Sequence, residues 1–227
     1  MCFMHLLRHI SRILAYGIDT IAPPDPLIRE IEGMSLGDFA LRAETESPGK
    51  RSDGIISLFP YRTDVVRASL VELKTFRNRK IERLLGRLVH ERLAERLYEL
   101  DVLEGFNNPL LVPVAMTKRS LRGRGWNQCE LVAREIILAD RGTMLEKGFD
   151  ALTKTRHTGD QVGRTRAERL EGLKDSFTAR GDGDGGVGGR NVIVLDDIVT
   201  TGATLGEAKR ALLQAGARAV ICLAVAS

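Results

Sequence analysis

The run Val192-Ile193-Val194-Leu195-Asp196-Asp197-Ile198-Val199-Thr200-Thr201-Gly202-Ala203-Thr204 constrains this 227-residue chain more than any other stretch. Four consecutive apolar residues imply a strand buried on both faces, as in the middle of a parallel sheet. Two carboxylates fall just past its carboxyl end, where open α/β sheets bind their ligands. A short loop of hydroxylated residues and one glycine follows. The next helix opens with Thr204-Leu205-Gly206-Glu207, a capping-box pattern, and closes near Gly216. Backbone N–H groups of the Thr200–Thr204 turn, added to the positive end of the helix dipole, suit a phosphate dianion. Thr200, Thr201 and Thr204 add hydroxyl donors, and Gly202, beside Ala203, allows close backbone approach. Asp196 and Asp197 only accept when ionised, which suits two hydroxyls of a ribose. An acidic pair after a strand also occurs in plain capped turns, and it is the whole run that points to a sugar phosphate.

Around this run the chain alternates strand and helix patterns. Ile55–Phe59, Leu110–Val114, Asn191–Leu195 and Ala219–Ala226 read as strands. Asp64–Thr75, Lys80–Leu100, Asn127–Leu138, Arg164–Lys174 and Thr204–Gln214 show helical spacing or charge patterns. This predicts an α/β domain over residues 55–227, with a mostly parallel sheet flanked by helices. Residues 1–54 differ. Apolar residues from Phe3 to Ile18 recur at helical spacing, the polar face carries His5, His9 and Arg12, and Pro23-Pro24-Asp25-Pro26 ends the helix. The stretch from there to about Asp53 is polar and rich in turn formers, and is expected to be an irregular connector. Gly181–Gly189 precedes a strand instead of joining a strand to a helix, so it reads as a flexible link and not a nucleotide loop.

Composition narrows the function classes. The chain is 43% hydrophobic and 28% charged with a net charge of +4, which excludes wholesale disorder and permits anionic ligands. Aromatics at 5% weaken a strand-binding platform of stacked bases. Cys2, Cys129 and Cys222 lie far apart with no C-x-x-C pair, against a disulfide framework or a cysteine zinc site. Cys129 and Cys222 fall inside predicted elements and are expected to be buried and inert. No apolar run approaches the ~20 residues of a spanning helix, so the expected compartment is the cytosol.

The thirteen-residue run resembles the phosphoribosyl-pyrophosphate (PRPP) signature of type I phosphoribosyltransferases at every position. The block from Leu111 to Gln128, with its strand, proline turn and basic loop ending Arg124-Gly125-Trp126-Asn127-Gln128, is similar to the ComF/GntX family of phosphoribosyltransferase-like proteins. Tyr61…Lys74-Thr75-Phe76-Arg77 and Gln161…Arg164-Thr165-Arg166-Ala167-Glu168-Arg169…Phe177 follow the same family order. The resemblance implies a type I phosphoribosyltransferase fold with a small N-terminal hood over residues 1–54. It implies transfer of 5-phosphoribosyl from PRPP to a nitrogen nucleophile, with Mg²⁺ on the pyrophosphate, in a context of DNA uptake and competence. Two departures stand out: Ala115 replaces the second proline of the turn, and Asp25 stands where the first cysteine of the family's zinc finger is expected. No zinc is therefore expected.

In this reading Asp196 and Asp197 are the catalytic pair, and the Thr200–Thr204 turn holds the 5-phosphate. Lys118 and Arg119 contact pyrophosphate, with a plain solvated basic face as the alternative. Gln161, Arg164 and Arg169 belong to a lid over PRPP, set against an exposed charged helix; a lid would exclude water from an oxocarbenium-like transition state. Arg124 and Asn127 shape a turn, and Trp126 packs in the core, with stacking on a base as the alternative. A rival reading keeps the fold as a non-enzymatic PRPP sensor or scaffold. There Arg77, Arg79, Lys80 and Arg122 meet single-stranded DNA or the uptake machinery. The acceptor and the choice between monomer and homodimer stay open.

Overall fold

The computed structural model describes residues 25–44, 54–155, 175–183 and 185–227. Two short helices come first, α1 (Pro26–Gly33) and α2 (Leu36–Ala43). Then follow β1 (Ile56–Phe59), α3 (Asp64–Thr75), α4 (Arg79–Glu104), β2 (Leu110–Pro113), α5 (Lys118–Arg124), α6 (Gln128–Asp140) and β3 (Glu146–Lys147). The chain ends through β4 (Leu152–Lys154), β5 (Phe177–Ala179), β6 (Asn191–Ile198), α7 (Ala203–Gln214) and β7 (Ala219–Ala226). The expected helices near residues 3–18 and 164–174 lie outside the described residues, as do Gln161, Arg164 and Arg169. No described helix is long and apolar enough to cross a membrane.

Five strands form one parallel sheet in the order β1-β7-β6-β2-β3, and β4 and β5 pair separately as an antiparallel ribbon. β6 is central, with Val192 to Leu195 bonded in register to β2 on one side and β7 on the other. Its alternate side chains divide between two cores. Ile193 and Leu195 join α3, α4 and α6 through Leu73, Leu85, Val132 and Ile136. Val192 and Val194 face Leu205, Ala208 and Leu212 of α7. All four are fully buried. That is why the sequence reads there as a continuous apolar run with no alternation. Parallel pairing sets the carboxyl ends of β2 and β6 side by side, where the Val114 N–H donates to the Leu195 carbonyl at 2.8 Å.

The structure departs from the sequence expectation at residues 26–43, which form two helices and not an irregular connector. Asp25 caps α1, its carboxylate accepting from the Leu27 N–H at 2.9 Å, and Pro26 sits in the first turn. Ser35 caps α2 by accepting from the Asp38 N–H at 3.1 Å. Each helix buries two side chains, Ile28 and Ile31 in α1 and Phe39 and Ala43 in α2, within the α3–α4 core. Arg42 ties them to the domain by pairing with Glu30 and, at 2.7 Å, with Asp64.

Candidate functional site

β6 carries its last hydrogen bonds past Leu195, so Asp196 and Asp197 emerge at the carboxyl edge of the sheet, both half-buried. The Asp197 N–H donates to Asp196 Oδ1 at 3.0 Å, and the Ile198 N–H donates to Asp197 Oδ1 at 2.8 Å. The chain then reverses through Gly202, whose φ of 77° lies in the left-handed region that favours glycine. This turn starts α7 at Ala203, one residue earlier than the sequence suggests. The expected capping box does not form: Thr204 lies inside the first turn, the cap residue Gly202 has no side chain to offer, and Glu207 engages Arg210 at 2.8 Å instead.

A cavity of about 520 Å³, ample for a sugar phosphate, opens beside the two aspartates. Thr200 and Thr204 line it. Thr201, Gly202 and Ala203 line a separate depression of about 310 Å³ behind the turn, with Lys209 and Arg210. Lys118 and Arg119 are exposed in the first turn of α5, outside the cavity lining. The cations in the wall are Lys74 at the end of α3, Arg124 at the end of α5 and Lys154 at the end of β4.

The segment from Arg124 to Cys129 clamps this site. Trp126, half-buried, donates Nε1–H to the Leu73 carbonyl at 2.8 Å, next to Lys74. Asn127 caps α6 and donates Nδ2–H to the Val114 carbonyl at 2.9 Å. Gln128 donates Nε2–H to Asp197 Oδ2 at 2.9 Å, while its Oε1 accepts from Arg124. The Cys129 thiol lies 3.5 Å from Asp196 Oδ1. Arg124 thus does more than shape a turn, and Trp126 does more than fill the core.

Electrostatics make the acidic pair unusual. Burial, then the neighbouring Asp197 charge, push the Asp196 carboxyl up to about 8, so it holds its proton at neutral pH. Burial raises the Cys129 thiol well above its ordinary range, which keeps it protonated and unreactive. Burial lowers the Lys154 ammonium, partly offset by attraction to Asp196. Among the described residues, Cys129, Asp196 and Asp197 are the cluster whose ligand atoms converge, all within 4.8 Å of one another. Sequence reasoning found the aspartates and threonines. It missed Lys74, Lys154, Gln128 and the contact of Cys129, which come from three separate parts of the chain.

Parallel strands carrying an acidic pair and a threonine turn at their carboxyl edge define a class, and the family comparison agrees. Residues 130–227 match the phosphoribosyl transferase domain. Within that class the chain is similar to proteins named for DNA utilization and competence. It is 32% identical over 150 residues to the DNA utilization protein YhgH of Escherichia coli strain K12, covering 66% of this chain and 61% of that protein. It is 28% identical over 138 residues to competence protein F of Haemophilus influenzae, covering 60% and 56% respectively. Competence protein ComFC of Bacillus subtilis matches at 29% over 112 residues, 49% of this chain and 41% of that protein. The chain therefore spans less than two thirds of the length of these relatives. A solved hypoxanthine phosphoribosyltransferase from Trypanosoma cruzi aligns over 64% of each chain at 14% identity, with a TM-score of 0.37.

Proposed function

We propose that the strand-end cavity binds PRPP and that the chain transfers 5-phosphoribosyl to a nitrogen nucleophile. The observation that carries this reading is the convergence of Asp196, Asp197, Thr200 and Thr204 with Lys74, Arg124 and Lys154 around one cavity. The ribose hydroxyls face the aspartates, and the 5-phosphate meets the threonine turn and the dipole of α7. Pyrophosphate lies toward the three wall cations, with Lys118 and Arg119 outside them. The bond from C1 of ribose to the pyrophosphate oxygen breaks, a C1–N bond forms, and the nitrogen loses its proton. Positive charge building at C1 is stabilised by the Asp197 charge, while Asp196, which keeps its proton at neutral pH, positions a ribose hydroxyl, so catalysis is positioning and electrostatics without a protein nucleophile. Gln128 keeps Asp197 turned toward the cavity, and the buried Cys129 thiol excludes water behind Asp196.

The donor set fits Mg²⁺ in part: two carboxylates suit a hard cation, and a thiol kept protonated by burial does not compete for it. Asp196 and Asp197 would hold it with pyrophosphate oxygens, and its charge would ease departure of the leaving group. A second reading, a PRPP sensor or scaffold in DNA handling, draws on the relatives named for DNA utilization and competence. In either reading the protein works in the cytosol. Calorimetry with PRPP and Mg²⁺ tests the site, and binding unchanged by Asp196→Asn with Asp197→Asn sinks it. Pyrophosphate release with a panel of amines separates transferase from sensor.

A further inference from the structure

A second cavity, of about 380 Å³, lies on the helical face of the domain between the start of α4, the outer face of α6 and the segment after β3. It shares no lining residue with the strand-end cavity. Beside it, a Cβ at Gly86 would stand 2.3 Å from Cβ of Glu135, a lining residue, so α4 and α6 approach closely there. Cations from three elements surround it. Arg79 and Arg83, one turn apart on α4, are exposed and make no ion pair among the described residues. Lys147 and Arg134, the latter also paired with Glu130, each lie 5.4 Å from the centre of the Phe149 ring. Leu131, Ile137 and Leu138 supply an apolar wall.

One buried acid distinguishes this cavity from a plain basic patch. Glu82 is only 6% exposed, and its Oε1 has no hydrogen-bond donor among the described residues. Arg77 Nε stands 3.5 Å away, close enough for charge compensation but without hydrogen-bond geometry. A buried acceptor without a donor is costly, and a ligand N–H that displaces the Arg77 side chain, itself part of the cavity wall, would relieve it. The occupant must therefore present anionic oxygens to the rim, a flat apolar body to the wall and an N–H donor to Glu82. A bare polyanion meets only the first demand, and Glu82 and Glu135 repel it.

We infer that this groove is a site for a nucleotide whose base carries an exocyclic amino group, separate from the PRPP cavity. Its phosphates pair with Arg79, Arg83 and Lys147, and the amino group donates to Glu82. The cavity volume, about 380 Å³, lies within the range of small-ligand sites. Because it shares no wall with the strand-end cavity, the inference stands or falls independently of the PRPP reading.

Calorimetric titration of the full chain with ATP, CTP, UTP and tripolyphosphate tests it. ATP and CTP should bind at least about fivefold more tightly than UTP or tripolyphosphate, since only they supply the amino donor. Arg79→Ala with Arg83→Ala, both exposed and safe for folding, should weaken ATP about tenfold or more. Glu82→Gln, which can donate as well as accept, should bring the ATP-to-UTP preference close to unity. Binding of ATP should survive both saturating PRPP and the Asp196→Asn, Asp197→Asn pair. Equal affinity for tripolyphosphate, displacement of ATP by PRPP, or binding of a single-stranded oligonucleotide where mononucleotides are silent would each overturn the assignment.

Discussion

The strand-end cavity and the α4–α6 groove are two concave sites of opposite construction. The first gathers carboxylates at the edge of a parallel sheet, and its acidic pair and both lining threonines of the turn come from one stretch of nine residues, 196–204. The second gathers guanidinium and ammonium groups over a helix pair, from residues spread between 77 and 149. Sheet topology explains the contrast. Parallel strands end together, so a contiguous strand–turn–helix segment delivers a ready set of donors and acceptors. Helical faces deliver one residue per turn from each helix, and the set exists only once the helices have packed.

The sharpest test of their independence is Asp196→Asn with Asp197→Asn. Removing the charged acceptor Asp197 at about 1.5–3 kcal/mol and the protonated Asp196 at about 0.5–1.5 kcal/mol should weaken PRPP at least roughly thirtyfold while nucleotide binding in the groove stays unchanged. A matching loss at both sites would show that the sites communicate. The same region carries a pH signature. Asp196 is pushed up to about 8 from an ordinary 3.8, so the native state keeps a proton that the unfolded chain has lost. Stability is therefore fully present below about pH 4 and declines as pH rises toward about 8. Asp196→Asn removes that decline: thermal melts should coincide with the unaltered chain in acid and lie above it beyond about pH 8.

Gly86→Ala probes the groove from beneath. The added methyl would meet Glu135 Cβ at 2.3 Å, an overlap that only separation of α4 and α6 relieves. Overpacking costs about 1–3 kcal/mol, and the better helix propensity of alanine returns about 1. Denaturant titration should show a net loss of up to about 2 kcal/mol. Nucleotide affinity should fall with it, while PRPP binding by the folded fraction holds.

The contrast also marks what the sequence disclosed. The long periodic elements were legible: α3 and β7 fall at Asp64–Thr75 and Ala219–Ala226, as their patterns predict. α1 and α2 were not, because eight-residue helices with two buried side chains each leave too few periods to rise above their polar faces. Only the caps, Asp25-Pro26 and Ser35-x-x-Asp38, signalled them. In the site, Asp196, Asp197, Thr200 and Thr204 share one short segment and could be read together. Lys74 and Lys154 each look like an ordinary charge at the end of an element until the fold turns them to one cavity. The capping-box reading of Thr204 and Glu207 failed because a left-handed Gly202 turns the chain sooner.

Gln128 sharpens the same point, being a polar helix-start residue by sequence and the hydrogen-bond donor that holds Asp197 in the structure. Gln128→Ala should weaken PRPP by about fivefold, the worth of one hydrogen bond near 1 kcal/mol, with an unchanged melting temperature. Gln128→Glu should bind more weakly still, because it sets a further carboxylate against Asp197. A glutamate variant no worse than alanine would demote Gln128 to packing.

The smallest effect separates the cations that sequence position selects from those that the fold selects. Lys118 and Arg119 sit exposed at the start of α5, where solvent screens any charge they direct at the cavity. Lys154 is half-buried in the cavity wall, and burial already lowers its ammonium pKa. A phosphate arriving beside it meets a charge with little competing water. Lys118→Ala with Arg119→Ala should therefore shift PRPP affinity less than about threefold, and the shift should vanish at high salt. Lys154→Met should cost more than that pair, and its effect should persist in salt. The reverse order would place pyrophosphate over the first turn of α5, and would move the binding site outward from the aspartates to the basic rim.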